Sequence, residues 1–185
     1  MSPWTLNRFV QAISRGAVFG YPTDTIWGFG CHPLIESSAA RIQRIKRRPP
    51  GKGLILLSSR IEYCAAYIDA DADTLRPIRE PLEKPTTWLV PASDFCPDWL
   101  CGPFPTVAIR ITDHPLLQRI CDQLEAPVIS TSANRSGRAT VRNALQMRRQ
   151  FGDELDFIVT GFPAGTGRAS EIKSLATGDV MRSSS

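Results

Sequence analysis

Apolar positions fall alternately into helical spacings and short runs. Leu6, Phe9, Val10 and Ile13 share one helical face after Ser2-Pro3, a capping residue followed by proline at the first helical position. This predicts a helix to about Ser14, ended by Gly16. Residues 17–21 form a short apolar run closed by Pro22, which reads as a buried strand. Ala39, Ile42 and Ile45 define a second helix, capped by Ser37 or Ser38, with its arginines outward and Pro49-Pro50-Gly51 as its terminator. Residues 54–57, 87–90, 107–111 and 127–130 read as strands. Residues 59–68, 71–79, 115–124 and about 141–151 read as helices, the last of them basic. The tail carries short strand signals at 157–159, 171–173 and 179–181, joined by glycines. Strands and helices alternate without strict βαβ spacing. The expected fold is therefore one α/β domain over residues 1–185, with a twisted mixed sheet, flanking helices and a frayed end at 183–185.

Composition narrows the class. The 185 residues are 42% hydrophobic and 22% charged, enough apolar content for a proper core. No apolar run is long enough to cross a bilayer, and the N-terminus lacks a basic start and apolar stretch, so a cytoplasmic location is expected. The cysteines (Cys31, Cys64, Cys96, Cys101 and Cys121) are odd in number and form no CxxC, and only two histidines accompany them. Reduced, structural cysteines are expected rather than a zinc site. The net charge of +4 matters less than its placement. Residues 37–61 and 126–152 are rich in arginine and lysine and hold no acid. Such stretches predict a positive surface if the fold brings them together, or two solvated helix faces if it does not.

Four segments could carry chemistry. Tyr21-Pro22-Thr23-Asp24-Thr25-Ile26-Trp27-Gly28-Phe29-Gly30 places hydroxyls at a strand exit beside glycines that permit close backbone approach; its plain reading is a well-made turn. Lys46-Arg47-Arg48-Pro49-Pro50-Gly51-Lys52 closes a helix, where one or two cations complement the dipole. More cations than that, with Lys46 and Arg48 alternating about the break, suit a polyphosphate. Ile129-Ser130-Thr131-Ser132-Ala133-Asn134-Arg135-Ser136-Gly137 leaves a core strand as a dense run of uncharged donors, a cradle for anions. Arg110 lies in an apolar strand, on the face of Thr106 and Ala108, and needs a partner there: a structural Asp, or a substrate carboxylate. No GxxxxGK[ST], GxGxxG opening a helix, GxSxG or HExxH is present, so P-loop, Rossmann and nucleophile-elbow chemistry are not indicated.

Taken in order, these segments resemble the YrdC-like threonylcarbamoyl-AMP synthase family in its short, single-domain bacterial form. The matching residues are Pro22-Thr23-Asp24-Thr25 with Trp27-Gly28, Lys46-x-Arg48-Pro49, and Val107-Ala108-Ile109-Arg110 with Asp113-His114-Pro115. They continue with Ser130-Thr131-Ser132-Ala133-Asn134, Ser136-Gly137, Ser170-Glu171-Ile172, Thr177-Gly178 and Arg182, so that the match spans about residues 4–182. The resemblance implies a large basic concave cleft and an enzyme that joins L-threonine, bicarbonate and ATP into threonylcarbamoyl-AMP and pyrophosphate. The product would serve threonylcarbamoyladenosine formation in tRNA through separate transfer proteins, with Mg²⁺ escorting the nucleotide and direct contact with RNA conceivable. Carried over by position, Thr23, Arg110, Ser130 and Ser170 would hold L-threonine. Lys46, Arg48, Thr106, Ser132, Asn134, Thr140 and Arg182 would surround ATP, with Lys46 and Arg48 as the electrostatic groups of catalysis. The sequence departs from longer relatives at Leu57, where a histidine is common, at Glu171, where threonine is common, and at Glu83-Lys84-Pro85, and the short form implies no C-terminal extension domain like theirs. Rival readings are an RNA-binding or ribosome-assembly module that uses the basic cleft without catalysis, and a carbamoyltransferase with another acceptor.

Overall fold

The computed structural model describes residues 1–48, 51–80, 82–161, 163 and 169–183. Pro49 and Pro50, most of the 162–168 glycine-rich stretch and the last two serines lie outside them, as does the expected proline break after the second helix. In chain order the elements are α1 (Pro3–Ser14), β1 (Phe19–Pro22), β2 (Trp27–Cys31), α2 (Glu36–Lys46), β3 (Ile55–Ser58) and a 3-10 helix (Ile61–Tyr67). There follow α3 (Arg76–Arg79), β4 (Thr86–Pro91), α4 (Asp98–Cys101), β5 (Thr106–Ile111), α5 (Pro115–Leu124), β6 (Val128–Ser132) and α6 (Ala144–Phe151). A second 3-10 turn (Gly152–Glu154) leads to β7 (Phe157–Ile158), β8 (Glu171–Ser174) and β9 (Val180–Arg182). The strands form one mixed sheet in the order β7-β1-β2-β6-β3-β5-β4-β8-β9. Parallel pairs are β1 with β7, β3 with β5 and β4 with β8; the other neighbours run antiparallel. No described helix is long and apolar enough to cross a membrane.

The expected α/β domain on a mixed sheet is thus observed, with instructive differences. The Ser2 hydroxyl caps α1 by accepting from Thr5 N, as its position predicted. Neither Ser37 nor Ser38 caps α2: Ile35 occupies that position, and Ser38 Oγ donates to Gly16 O at 2.7 Å, tying α2 to the turn that follows α1. The helix expected over 59–68 is a 3-10 helix, Ile61–Tyr67, rather than an α-helix. Residues 71–79 give only a turn and the four-residue α3, because Pro77 cannot sit in a helix interior. The basic helix starts at Ala144, later than expected, because Asn143 caps it by accepting from Gln146 N at 2.9 Å. Strand β2 was not anticipated at all. Its Trp27-Gly28-Phe29-Gly30-Cys31 alternates aromatic and glycine, so one face carries bulk and the other almost none.

That alternation positions the site. Trp27, Phe29, Leu56, Val90, Val107, Ile109 and Ile129 point to one face of the sheet and pack in a core with α2, α4, α6 and the first 3-10 helix. On the opposite face, α1 and α5 bury Phe19, Tyr21, Leu57 and Val128 with their own Leu6, Phe9, Ile13, Leu117 and Ile120. These two helices cover only half of that face. The ladder brings Ser130, Ile55, Ala108 and Leu89 into one row beyond them. All four line a cavity. The uncovered half of the sheet is therefore its floor.

Gly30 belongs to the covered half. A Cβ there would lie 2.5 Å from Phe19 Cζ, and both ring and strand are buried. Gly30→Ala should destabilise the fold by about 1–3 kcal/mol through overpacking. Urea unfolding would show this as a lower midpoint at an unchanged slope; an unmoved midpoint would contradict it.

Candidate active site

The cavity has a volume of about 430 Å³, within the range of small-molecule sites. Strand β5 gives it alternate residues, Thr106, Ala108 and Arg110, while Val107 and Ile109 turn into the core. The period-2 reading of this strand placed the same three side chains on one face. Thr23, Arg48, Ser130, Ser132, Ser170 and Arg182 also line the wall. Thr140 lies in an adjoining recess of about 380 Å³ that shares Thr25, Ile26, Trp27, Ser132 and Ala169 with the cavity.

The hydroxyl run differs from its expected form. Strand β6 continues to Ser132, so Ser130, Thr131 and Ser132 sit on the strand itself and not on a loop after it. Ser130 Oγ accepts from the Tyr21 hydroxyl at 2.8 Å, at the border between the packed and open halves of the face. Burial pushes the Tyr21 phenol up, so it remains a donor at neutral pH. Thr23 is held by its own turn, its Oγ1 accepting from Thr25 N at 3.0 Å and donating to Ile26 O at 2.7 Å. Ser170 Oγ meets Thr87 Oγ1 at 2.8 Å.

Lys46 and Asn134 lie one layer behind the wall. Lys46 is buried, and its ammonium donates to Ser132 O, to Ser132 Oγ at 3.3 Å, to Asn134 O at 3.2 Å and to Asn134 Oδ1 at 2.9 Å. Ser132 Oγ in turn donates to Asn134 Oδ1 at 2.7 Å. Lys46 thus fixes the shape of the Ser132–Asn134 turn from inside. Burial, and after it the neighbouring Arg48, push Lys46 down to about 7. The oxygen cage acts the other way, its four acceptors sharing the three donors of an ammonium.

Three arginines converge on the cavity. Arg48 donates to Gly53 O at 2.8 Å and Thr131 Oγ1 at 3.4 Å. Arg182, partly exposed at the rim, donates to Ser170 O at 2.9 Å. Arg110 is buried and pairs with Asp24 at 2.5 Å, its other amino group donating to Thr25 Oγ1 at 3.2 Å. Burial lowers the pKa of Arg48 and Arg182, and the guanidiniums add to this in series, Arg182 acting on Arg48 and Arg110 on Arg182. The Nε groups of Arg48 and Arg110 are buried and find no acceptor among the described residues. Unsatisfied buried donors are costly, and mutually repelling cations more so, unless an anion completes them. Among the described residues that line the cavity none is acidic.

Asp24 and Thr25 fell inside a singled-out motif but were assigned no role; the rule that a buried arginine must be paired is the signal that would have found Asp24. The apolar wall of Ile55, Leu89, Leu100, Phe104, Ile172 and Met181 was missed because its residues come from six separate elements and loops. The two basic stretches do meet: Ser136 N donates to Lys46 O at 2.7 Å and Arg135 to Ile45 O at 2.5 Å. Their surface charge is reduced, however, because Arg41 pairs with Asp156 and Arg135 with Glu154, both supplied from beyond the acid-free segment. Leu57 packs under α1 and α5 and does not reach the cavity. Among the described residues no three His, Cys, Asp or Glu side chains form a cluster that could hold a metal ion.

The fold and its lining define a single-domain α/β protein with an arginine- and hydroxyl-lined cavity on the open half of a mixed sheet. The Sua5/YciO/YrdC family model, described as telomere recombination, matches residues 11–184, and the chain belongs to that family. It is 38% identical over 189 residues to a threonylcarbamoyl-AMP synthase of Cellvibrio japonicus (strain Ueda107), covering all of both chains. It is 37% identical to one of Pseudomonas entomophila (strain L48), covering 98% of each. Among solved structures it superimposes on P. abyssi Sua5 complexed with L-threonine with a TM-score of 0.90 at 24% identity, covering 100% of this chain and 55% of that one. E. coli YciO matches with a TM-score of 0.86 at 21% identity, over 99% and 90% of the respective chains. These structural likenesses establish the fold.

Proposed function

We propose that this chain is a nucleotidyltransferase that makes threonylcarbamoyl-AMP and pyrophosphate from L-threonine, bicarbonate and ATP. The observation that carries the reading is the convergence of Arg48, Arg110 and Arg182 on a hydroxyl-lined cavity that has no acidic residue among the described ones. Relatives matched over their full length carry that activity in their names.

Thr23, Arg110, Ser130 and Ser170 would hold L-threonine, with Arg110 gripping its carboxylate. Arg48, Thr106, Ser132 and Arg182 would contact ATP, and Thr140 would extend the site into the recess. Lys46 and Asn134 act from behind, by keeping the Ser132–Asn134 turn in shape and adding positive potential. An oxygen of the threonine carbamate attacks the α-phosphorus of ATP. The bond from that phosphorus to the bridging oxygen breaks, and pyrophosphate leaves with its electrons. This chain supplies positioning and charge neutralisation, and no covalent intermediate is needed. The apolar wall of Ile55, Leu89, Leu100 and Ile172 would limit water around the carbamate, which would otherwise favour loss of CO₂. Among the described residues the cavity offers no carboxylate cluster for a resident Mg²⁺, and the ion would enter with the nucleotide substrate. Separate proteins would pass the threonylcarbamoyl group to tRNA.

Pyrophosphate release from ATP and bicarbonate, screened across the amino acids, tests the reading. Threonine should stimulate release well above the others; release indifferent to amino acid would reject it. A salt-sensitive RNA complex without such release would favour the binding-module reading instead.

Lys46 gives a further check. At pH 8 a group with a pKa of about 7 is mostly neutral. A polyphosphate nearby favours the ammonium, so binding raises that pKa and takes up a proton. Calorimetry of ATP binding at pH 8 in buffers of different ionisation enthalpy should show proton uptake, lost in Lys46→Met. A binding enthalpy independent of buffer would contradict this.

A further inference from the structure

Among the described residues one pair of cysteines meets. Cys96 Sγ lies 3.1 Å from Cys101 Sγ, and Cys101 lines the cavity. We propose that Cys96 and Cys101 form a dithiol modification site on the cavity wall, which low-molecular-weight disulfides convert into an intramolecular disulfide.

The backbone already sets the approach. Cys96 N donates to Ser93 O at 3.0 Å, and α4 presents Cys101, with Gly102 N donating to Asp98 O at 2.7 Å. Between them Trp99 is anchored by its indole N–H to Pro33 O at 3.0 Å. A disulfide has its sulfurs about 2.05 Å apart, so closure requires a movement of about an ångström. Cys96 is half-buried and Cys101 buried, so Cys96 is the more accessible thiol of the pair. Cys101 is reached from within the cavity.

The exchange balances. The Cys96 thiolate attacks one sulfur of the small disulfide, forming a mixed disulfide and expelling one thiol. Cys101 loses its proton to water and attacks the Cys96 sulfur, closing the protein disulfide and expelling the second thiol. Two protein thiols are oxidised and one small disulfide is reduced to two thiols. Burial, with Cys101 alongside, pushes the Cys96 thiol up to about 12. The first attack is therefore slow, and the pair stays reduced except under sustained oxidation.

The pair also connects to the cavity's cations. Leu54 N donates to Leu100 O at 2.8 Å, and a Cβ on Gly53 would stand only 2.7 Å from that same carbonyl. Gly53 O accepts from Arg48. Drawing Cys101 toward Cys96 shifts α4 and, through Gly53, the seat of Arg48.

The test treats the reduced, full-length chain with oxidised glutathione, with and without ATP. Intact mass should fall by two hydrogens, and peptide mapping should join Cys96 to Cys101. Cys96→Ser, at the less buried position, should abolish the closed form while leaving the fold unchanged by circular dichroism. ATP should slow closure severalfold, because it covers Cys101; this arm alone rests on the nucleotide reading of the cavity. Stable glutathione adducts without closure, or the same mass loss in Cys96→Ser, would overturn the dithiol site. Closure indifferent to ATP would overturn the ATP arm and leave the dithiol standing.

Discussion

Arg48→Ala should lose about 3 kcal/mol of transition-state stabilisation, roughly a hundredfold or more in kcat/KM for ATP. Its guanidinium reaches the cavity from the end of α2, held by Gly53 O and Thr131 Oγ1, and its Nε has no acceptor among the described residues. Arg182 repels it. Removing Arg48 therefore relieves repulsion in the empty protein, and the fold should lose little. The loss falls on the loaded site, where an approaching polyphosphate would have met the guanidinium charge. Arg48→Lys should restore only part of it, since a single ammonium cannot present a planar fork of donors. Steady-state pyrophosphate release with varied ATP, beside an unfolding curve, measures both sides. Unimpaired turnover would remove Arg48 from the mechanism.

Arg110→Ala is expected to act on threonine and on stability together. Arg110 and Asp24 are a largely buried pair, their side chains 7% and 16% exposed. Deleting one partner strands the other, which typically costs about 3–5 kcal/mol. The double variant Arg110→Ala/Asp24→Asn removes the stranded charge and should recover much of the stability. It should not recover the threonine requirement, because the carboxylate still lacks its fork. The KM for threonine should rise in both variants while that for ATP holds. A rise in the ATP requirement alone would show that Arg110 serves the nucleotide.

The parts of this site that could be read in the sequence are those where one residue's neighbours decide its direction. Arg110, Ala108 and Thr106 shared a face by strand period, and the cavity confirms that shared face. The cap at Ser2 and the bounds of α5 follow from local chemistry in the same way. What escaped is set at a distance. Strand β2 alternates aromatic residues with glycines, so no apolar run announces it, and its partner β6 arrives about a hundred residues later. The pairing of Arg41 and Arg135 with acids beyond the basic stretch depends on how the chain returns to β7. The position of Lys46 behind the wall depends on its oxygen cage, which the Ser132–Asn134 turn supplies from more than eighty residues away.

The order of strands bears on how the chain is made. Strand β6, at residues 128–132, lies between β2 and β3, which precede it by some seventy to a hundred positions. Until it leaves the ribosome, β2 and β3 each present a bare row of peptide groups, a template for wrong pairing. Docking so late a strand into the middle of a sheet is a non-local, entropically expensive event. The nascent chain therefore stays open to aggregation until most of its length has been synthesised, and the grip on nucleotide cannot exist before that insertion.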